Sequence, residues 1–73
     1  DILLKYPGGC GRAVIIEIRV SQTYQGLDEK CDEALRQIEE QKYEEALRQE
    51  GYQDILKYGV AFYRKECMVK MQK

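Results

Sequence analysis

Three ionisable residues in this chain of 73 residues have types and positions suited to metal or acid–base chemistry: Asp1, Glu17 and Arg19. Glu17 and Arg19 interrupt a run of β-branched and aliphatic residues over 13–21, which predicts a central, largely buried strand. Side chains alternate across a strand, so both charges lie on one face, while the opposite face is wholly apolar. A buried carboxylate needs a partner, so the pattern predicts either a Glu17–Arg19 ion pair or the floor of a functional site.

The position of Asp1 relative to Glu17 depends on the hairpin that joins the first two strands. Asp1 begins a predicted strand that ends at Tyr6, and a Pro- and Gly-rich loop follows. If Tyr6 pairs with Arg12, the residue numbers of each pair sum to 18, and Asp1 lies opposite Glu17, where two carboxylates can share a cation. A two-residue Gly-Gly turn would instead place Asp1 opposite Ile16, on the wrong face, and stays an alternative.

The rest of the pattern predicts two helices and two more strands. Apolar residues recur at helical spacing from Leu27, but the stripe slips out of phase near 40–42, which predicts a break between two helices. Gly59, in the middle of the third strand, indicates close packing or a bulge. The order β-β-α-α-β-β predicts an α+β fold with a small mixed sheet. The predicted strands and helices cover 1–6, 12–21, 27 to about 40, 43–50, 54–63 and 67–71.

Composition narrows the class of protein. Twelve basic and thirteen acidic residues give a net charge of −1, so contact with nucleic acid requires a local patch or another domain. No apolar run approaches the roughly 20 residues of a membrane span, and no secretory signal is present, which predicts a soluble, cytoplasmic protein. Three cysteines without C-x-x-C spacing and the lack of histidine favour reduced thiols over a zinc site.

Four blocks of the sequence resemble the PD-(D/E)XK nuclease superfamily. An Asp that opens one strand, a hairpin, and Glu-x-basic inside a hydrophobic strand followed by a helix are the pattern of its core. The amino-acid sequence of the blocks is similar to that of the C-terminal nuclease-like domain of uncharacterised bacterial proteins. In those proteins this domain follows an AAA-type ATPase domain. The four blocks cover residues 1–6, 11–20, 34–43 and 55–63.

The resemblance implies a metal-dependent nuclease that cuts DNA or RNA. Asp1 and Glu17 would hold a divalent metal, Mg²⁺ or Mn²⁺, with the main-chain carbonyl of Ile18 as a further ligand. Arg19 stands where the motif has Lys. An arginine can stabilise the charge of the transition state, but it stays protonated and so does not take a proton from water as a neutral lysine can.

Gln37 and Tyr43 resemble the Gln…Tyr helix motif of some members, at a different spacing. The plain alternative is a surface Gln and a partly buried Tyr. The superfamily core is α-β-β-β-α-β, so 1–73 is expected to be one nuclease-like domain that lacks the first helix and strand. Its open edge strand predicts a homo-oligomer.

The resemblance also sets the expectations for function. An N-terminal ATPase domain is expected in the full-length chain, and the fragment itself is expected to be inactive. The alternative function is a catalytically inert binding, regulatory or dimerisation module on the same fold.

Overall fold

The structure is a computed structural model, which describes residues 2–6 and 11–72. It contains four strands and two helices, and the predicted α+β class and element order are confirmed. In the described residues no helix is long and apolar enough to cross a membrane. The elements are β1 (Ile2–Tyr6), β2 (Arg12–Val20), α1 (Leu27–Glu40), α2 (Tyr43–Gln49), β3 (Asp54–Tyr63) and β4 (Glu66–Gln72).

The four strands form one mixed sheet in the order β1-β2-β3-β4. Strands β1 and β2 are antiparallel, β2 and β3 are parallel, and β3 and β4 are antiparallel. Parallel neighbours need a long connection, because the chain must return to the same end of the sheet. Helices α1 and α2 make this connection, so the chain from β2 to β3 places both helices on the sheet.

The register of the hairpin agrees with the prediction. Strand β1 pairs with β2 from Ile2 opposite Ile16 to Tyr6 opposite Arg12, so the numbers of each pair sum to 18. The alternative two-residue Gly-Gly turn is therefore wrong. Asp1 and the loop residues 7–10 lie outside the described residues.

The two helices are separated where the apolar stripe slips. Helix α1 ends at Glu40, and Lys42 has a left-handed backbone conformation with φ 58° just before α2 begins. Helix α2 ends at Gln49, one residue earlier than predicted. Gly51 follows with φ 104°, where a residue with a β-carbon would be strained.

The core lies between the helices and one face of the sheet, which we call the helix face. A larger cluster joins the end of α1 and α2 to β2 and β3, and a smaller one joins the start of α1 to β3. The buried members are Ala13, Ile15, Ile38, Leu47 and Ile55 in the first cluster, and Leu27, Cys31 and Ala61 in the second.

Gly59 permits the close approach of α1 to the sheet. A β-carbon at this position would lie 2.5 Å from the carbonyl oxygen of Cys31. The pairing of β3 with both neighbours continues without interruption through Gly59, so there is no bulge. Of the two predicted explanations, close packing is the one confirmed.

The prediction that β2 is largely buried holds for 13–17 and is wrong at the end of the strand. Ala13, Ile15 and Glu17 on the helix face are buried, and so is Val14 on the other face, but Ile18 is 43% exposed and Val20 is 70% exposed. The apolar side chains at the end of β2 face away from both helices. The prediction is wrong at Ile18 and Val20 because both described helices pack on the other face of the sheet.

Candidate functional site

Glu17 is a buried carboxylate at the centre of the helix face. Its side chain is 6% exposed, and its Oε2 accepts a hydrogen bond of 2.9 Å from Nη1 of Arg19. The Arg19 side chain is 30% exposed, so this end of the pair reaches solvent. A buried charge is costly unless it is paired. The predicted ion pair is confirmed, and it explains how the fold accepts a carboxylate in its interior.

The main chain of Ile18 is oriented toward the outer side of β2. The N–H of Ser21 donates to β3 at 2.8 Å, and peptide groups alternate in direction along a strand, so Ile18 presents its N–H and C=O toward the β1 side. The first described residue of β1, Ile2, pairs with Ile16, and Ile18 lies beyond it. Nη1 of Arg19 contacts the Ile18 carbonyl oxygen at 3.5 Å. This oxygen therefore lies beside the Glu17–Arg19 pair.

Helix α1 presents a flank of half-buried polar residues to the β1 side of the sheet. On the opposite flank, Asp28 and Asp32 pair with Lys70 of β4 at 2.7 and 3.0 Å. A helix turns 100° per residue, so Lys30 and Gln37 lie on the other side of the buried stripe from these contacts. Gln37 therefore lies on the flank of α1 that faces away from β4.

The contacts of Gly59 show which turn of α1 lies at the level of Glu17. Gly59 pairs with Glu17 across β2 and β3, and it lies beneath the turn of α1 that contains Cys31 and Ala34. Gln37 comes one turn after Ala34, and helical side chains lean toward the N-terminus of their helix. Gln37 therefore lies about one turn of α1 beyond the level of Glu17.

Tyr43 is partly buried against the larger core cluster. It lines a cavity of about 110 Å³ together with Ile2, Leu3 and Ile15. This environment agrees with the plain interpretation of Tyr43 as a packing residue between α2 and the sheet.

Sequence reasoning missed a second buried charge on the helix face, Lys57. This residue is 5% exposed, and its Nζ donates to Oε1 of Glu44 at 2.7 Å. Arg48 also pairs with Glu44 at 2.7 Å. These hydrogen bonds, from Lys57 first and then Arg48, lower the pKa of Glu44. The alternation of β3 could have found Lys57, because it lies between the buried residues Ile55 and Gly59 on one face.

The described residues contribute oxygen donors that suit a hard cation. Mg²⁺ and Mn²⁺ prefer carboxylate and carbonyl oxygens, which the Glu17 side chain and the Ile18 main chain provide. Within 2–6 and 11–72, no three His, Cys, Asp or Glu side chains cluster closely enough to hold a metal. The second predicted carboxylate, Asp1, lies outside this part of the chain. The donor chemistry fits such a cation, with one buried carboxylate among the described residues.

Comparison with protein families matches residues 1–72 to the PD-(D/E)XK nuclease superfamily. The chain belongs to this superfamily, as its sequence blocks indicate. Nucleases of this superfamily typically use divalent metals. No curated protein and no solved structure matches the chain.

Proposed function

We propose that the intact protein is a metal-dependent phosphodiesterase that hydrolyses DNA or RNA. Membership of the nuclease superfamily supports the reaction class. The observation that carries the proposal is the buried carboxylate of Glu17, which stands at the Glu-x-basic position beside the carbonyl of Ile18. A buried ion pair adds little to stability, so a contribution to stability alone does not explain the buried charge of Glu17.

In this proposal Asp1, Glu17 and the Ile18 carbonyl hold Mg²⁺ or Mn²⁺. The described part of the hairpin, from Ile2 opposite Ile16 to Tyr6 opposite Arg12, has the register on which this proposal rests. The cation, when bound, lowers the pKa of a water molecule and screens the charge of the phosphate. Arg19 stabilises negative charge on the phosphate in the transition state. Gln37 donates and accepts hydrogen bonds through its amide and positions the phosphate or the water.

We also propose that the 73-residue chain alone has little or no turnover. Arg19 cannot act as a proton acceptor, and its closed ion pair with Glu17 competes with a metal for the carboxylate. A catalytic metal needs ligands held to within about 0.5 Å. The proposed active form carries the preceding helix and strand, in a longer cytoplasmic chain with an N-terminal ATPase domain.

Metal binding is tested first by thermal melting of the 73-residue chain with increasing Mn²⁺ or Mg²⁺. A ligand that binds only the folded state raises Tm with its concentration. We expect this shift in the wild type, its loss in Glu17→Gln, and its retention in Glu29→Gln, which changes an exposed acid on α1. Equal shifts in both variants, or none in any protein, would contradict a metal site at Glu17.

Catalysis is tested by incubating plasmid, single-stranded DNA and RNA with a longer chain that includes the preceding segment. We expect Mg²⁺-dependent cleavage that Glu17→Gln abolishes. Arg19→Lys restores a possible proton acceptor, and general-base catalysis contributes about 10²- to 10⁴-fold, so we expect a higher rate in this variant. Efficient cleavage by the wild-type 73-residue chain would contradict the proposed inactivity of the fragment.

The second candidate function is a catalytically inert module that binds nucleic acid or a protein. The closed Glu17–Arg19 pair, with arginine in the lysine position, favours it. Such a module would bind its partner equally well in wild type and Glu17→Gln, and its Tm would not respond to divalent metal.

A further inference from the structure

Arg19 contacts both of the described oxygens that the proposed function assigns to the cation. Its Nη1 donates to Oε2 of Glu17 at 2.9 Å and contacts the carbonyl oxygen of Ile18 at 3.5 Å. One nitrogen of the guanidinium therefore lies close to the carboxylate and the carbonyl at once. A guanidinium and a divalent cation are both positively charged, so they repel each other when they share the same two oxygens. Arg19 thus competes with the cation for both oxygens.

The burial of Glu17 limits when Arg19 can leave it. The Glu17 side chain is 6% exposed, and a buried carboxylate is strongly destabilising when a cationic partner is taken away. Departure of Arg19 therefore costs least when another cation takes its place. The guanidinium that leaves is itself a charged group and needs a new anionic partner. The exchange is favourable when a cation and an anion arrive together.

A phosphate group is a suitable new partner for Arg19. The N–H groups of a guanidinium form a planar fork that fits the oxygens of a carboxylate and those of a phosphate. Arg19 pairs with Ala61 of β3, which holds its main chain in the sheet. Its long side chain can still rotate about several single bonds. The side chain can therefore exchange a carboxylate for a phosphate while the strand stays in place.

We propose that Arg19 changes partner when a phosphodiester binds, and moves from Glu17 to the phosphate, so that the carboxylate becomes available to the metal. This inference rests on the proposed function and adds that metal and nucleic acid bind cooperatively. The phosphodiester raises the affinity for the metal by the same factor by which the metal raises the affinity for the phosphodiester. Without nucleic acid, Arg19 stays on Glu17 and the protein binds the metal more weakly.

Calorimetric titration of Mn²⁺ into the intact protein tests this exchange, with and without dimethyl phosphate, a small phosphodiester. Without the phosphodiester, we expect Arg19→Gln to bind Mn²⁺ about 10-fold more tightly than the wild type, which is within the usual range of coupling between sites. With saturating dimethyl phosphate this difference should largely disappear, because the wild-type arginine has then left Glu17. A difference of equal size in both conditions would show that phosphate does not draw Arg19 away.

Two further variants separate this inference from the metal site on which it rests. Arg36→Gln removes an exposed arginine of α1 and should bind Mn²⁺ as the wild type does in both conditions. Glu17→Gln measures the metal that is bound elsewhere in the protein. If Glu17→Gln binds as much Mn²⁺ as the wild type, the proposed metal site is wrong and the inference with it. If Glu17→Gln lowers the binding but Arg19→Gln does not raise it, only the change of partner is wrong.

Arginine-selective ¹⁵N NMR keeps the inference testable if Arg19→Gln does not fold. The Arg19 signal is the one that is missing from the spectrum of Arg19→Lys, a variant that keeps the positive charge. In the wild type, we expect this signal to move when Mg²⁺ and dimethyl phosphate are added together, because the guanidinium then has phosphate as its partner instead of Glu17. An Arg19 signal that stays unchanged while calorimetry shows Mg²⁺ to be bound would overturn the proposal.

Discussion

The helices cover one face of the sheet and not the other, and the charged side of strand β2 belongs to the covered face. The side of β2 that carries Glu17 and Arg19 lies beneath the helices, whereas the apolar side ends in Ile18 and Val20, which are exposed. Apolar patterning shows which surface avoids water, but it does not show which element covers that surface. The connection between two parallel strands decides which face is covered within this chain. The difference shows that the helices can cover the charged side of a strand when its charges are paired.

The helix face accepts charge because each buried ionic side chain has a partner of opposite sign. Glu17 pairs with Arg19 on the same strand, and Lys57 pairs with Glu44 of α2. In the described residues no buried side-chain nitrogen or oxygen lacks a hydrogen bond. On the face opposite the helices, large apolar side chains such as Ile18, Val20 and Val69 are exposed to water. One face thus has paired charges in its interior, and the other has apolar side chains in contact with water.

The largest expected effect on stability comes from truncating one side chain on each face of β2. Ile15 is 1% exposed on the helix face, and Ile15→Ala should lower the free energy of unfolding by about 3 kcal/mol through lost burial and a cavity. Val20 is mostly exposed, and Val20→Ala should cost less than about 0.5 kcal/mol. Urea unfolding of each variant measures both changes. Equal losses would break the comparison, since both faces would then be equally buried.

A smaller effect is expected from adding one carbon to each face of β3. Gly59→Ala forces a β-carbon against the Cys31 carbonyl, which is main chain and cannot rotate away, so we expect a loss of about 2 kcal/mol. Val60→Ile adds a methylene to the next residue, which lies on the face opposite the helices. That change should stay within about 0.5 kcal/mol of the wild type, because both helices pack on the other face of β3. The same urea experiment distinguishes them, and a tolerated Gly59→Ala would mean that α1 can shift.

The smallest effect concerns the charges of the helix face and depends on pH. Hydrogen bonds from Lys57 and Arg48 lower the pKa of Glu44 below its ordinary value of 4.5. The unfolded state therefore binds more protons between the two values, so stability is present above about pH 4.5 and is lost as pH falls through the folded pKa. Glu44 is about one-third exposed, and solvent screening holds its contribution below about 1 kcal/mol.

Glu44→Gln should remove this part of the acid dependence. Unfolding measured between pH 3 and pH 6 should show a flatter profile in the variant than in the wild type. Glu29→Gln on the exposed side of α1 is the control and should keep the wild-type slope. Parallel profiles for all three proteins would show that the Lys57–Glu44 pair does not stabilise the folded state.

Much of the fold could be predicted from local residue patterns. The change of phase in the apolar residues near 40–42 predicted the break between α1 and α2. Side chains share one face of a helix only when they recur every three or four residues. The hairpin register followed from loop length, since a five-residue loop that joins Tyr6 to Arg12 sets every later pair. The Glu17–Arg19 pair followed from the two-residue period of a strand. Each of these features depends on residues close together in sequence.

The sequence by itself determined the order of the elements, the two faces of each strand, and the acidic motif that marks the superfamily. Only the tertiary structure decided which face the helices cover, that Lys57 is buried beneath α2, and that Gly59 lies against Cys31. The physical reason is that the two-residue period of a strand divides its side chains between two faces but does not show which face is buried. The free energy of burial depends on what packs against a face, and in this chain that is set by contacts between residues far apart in sequence.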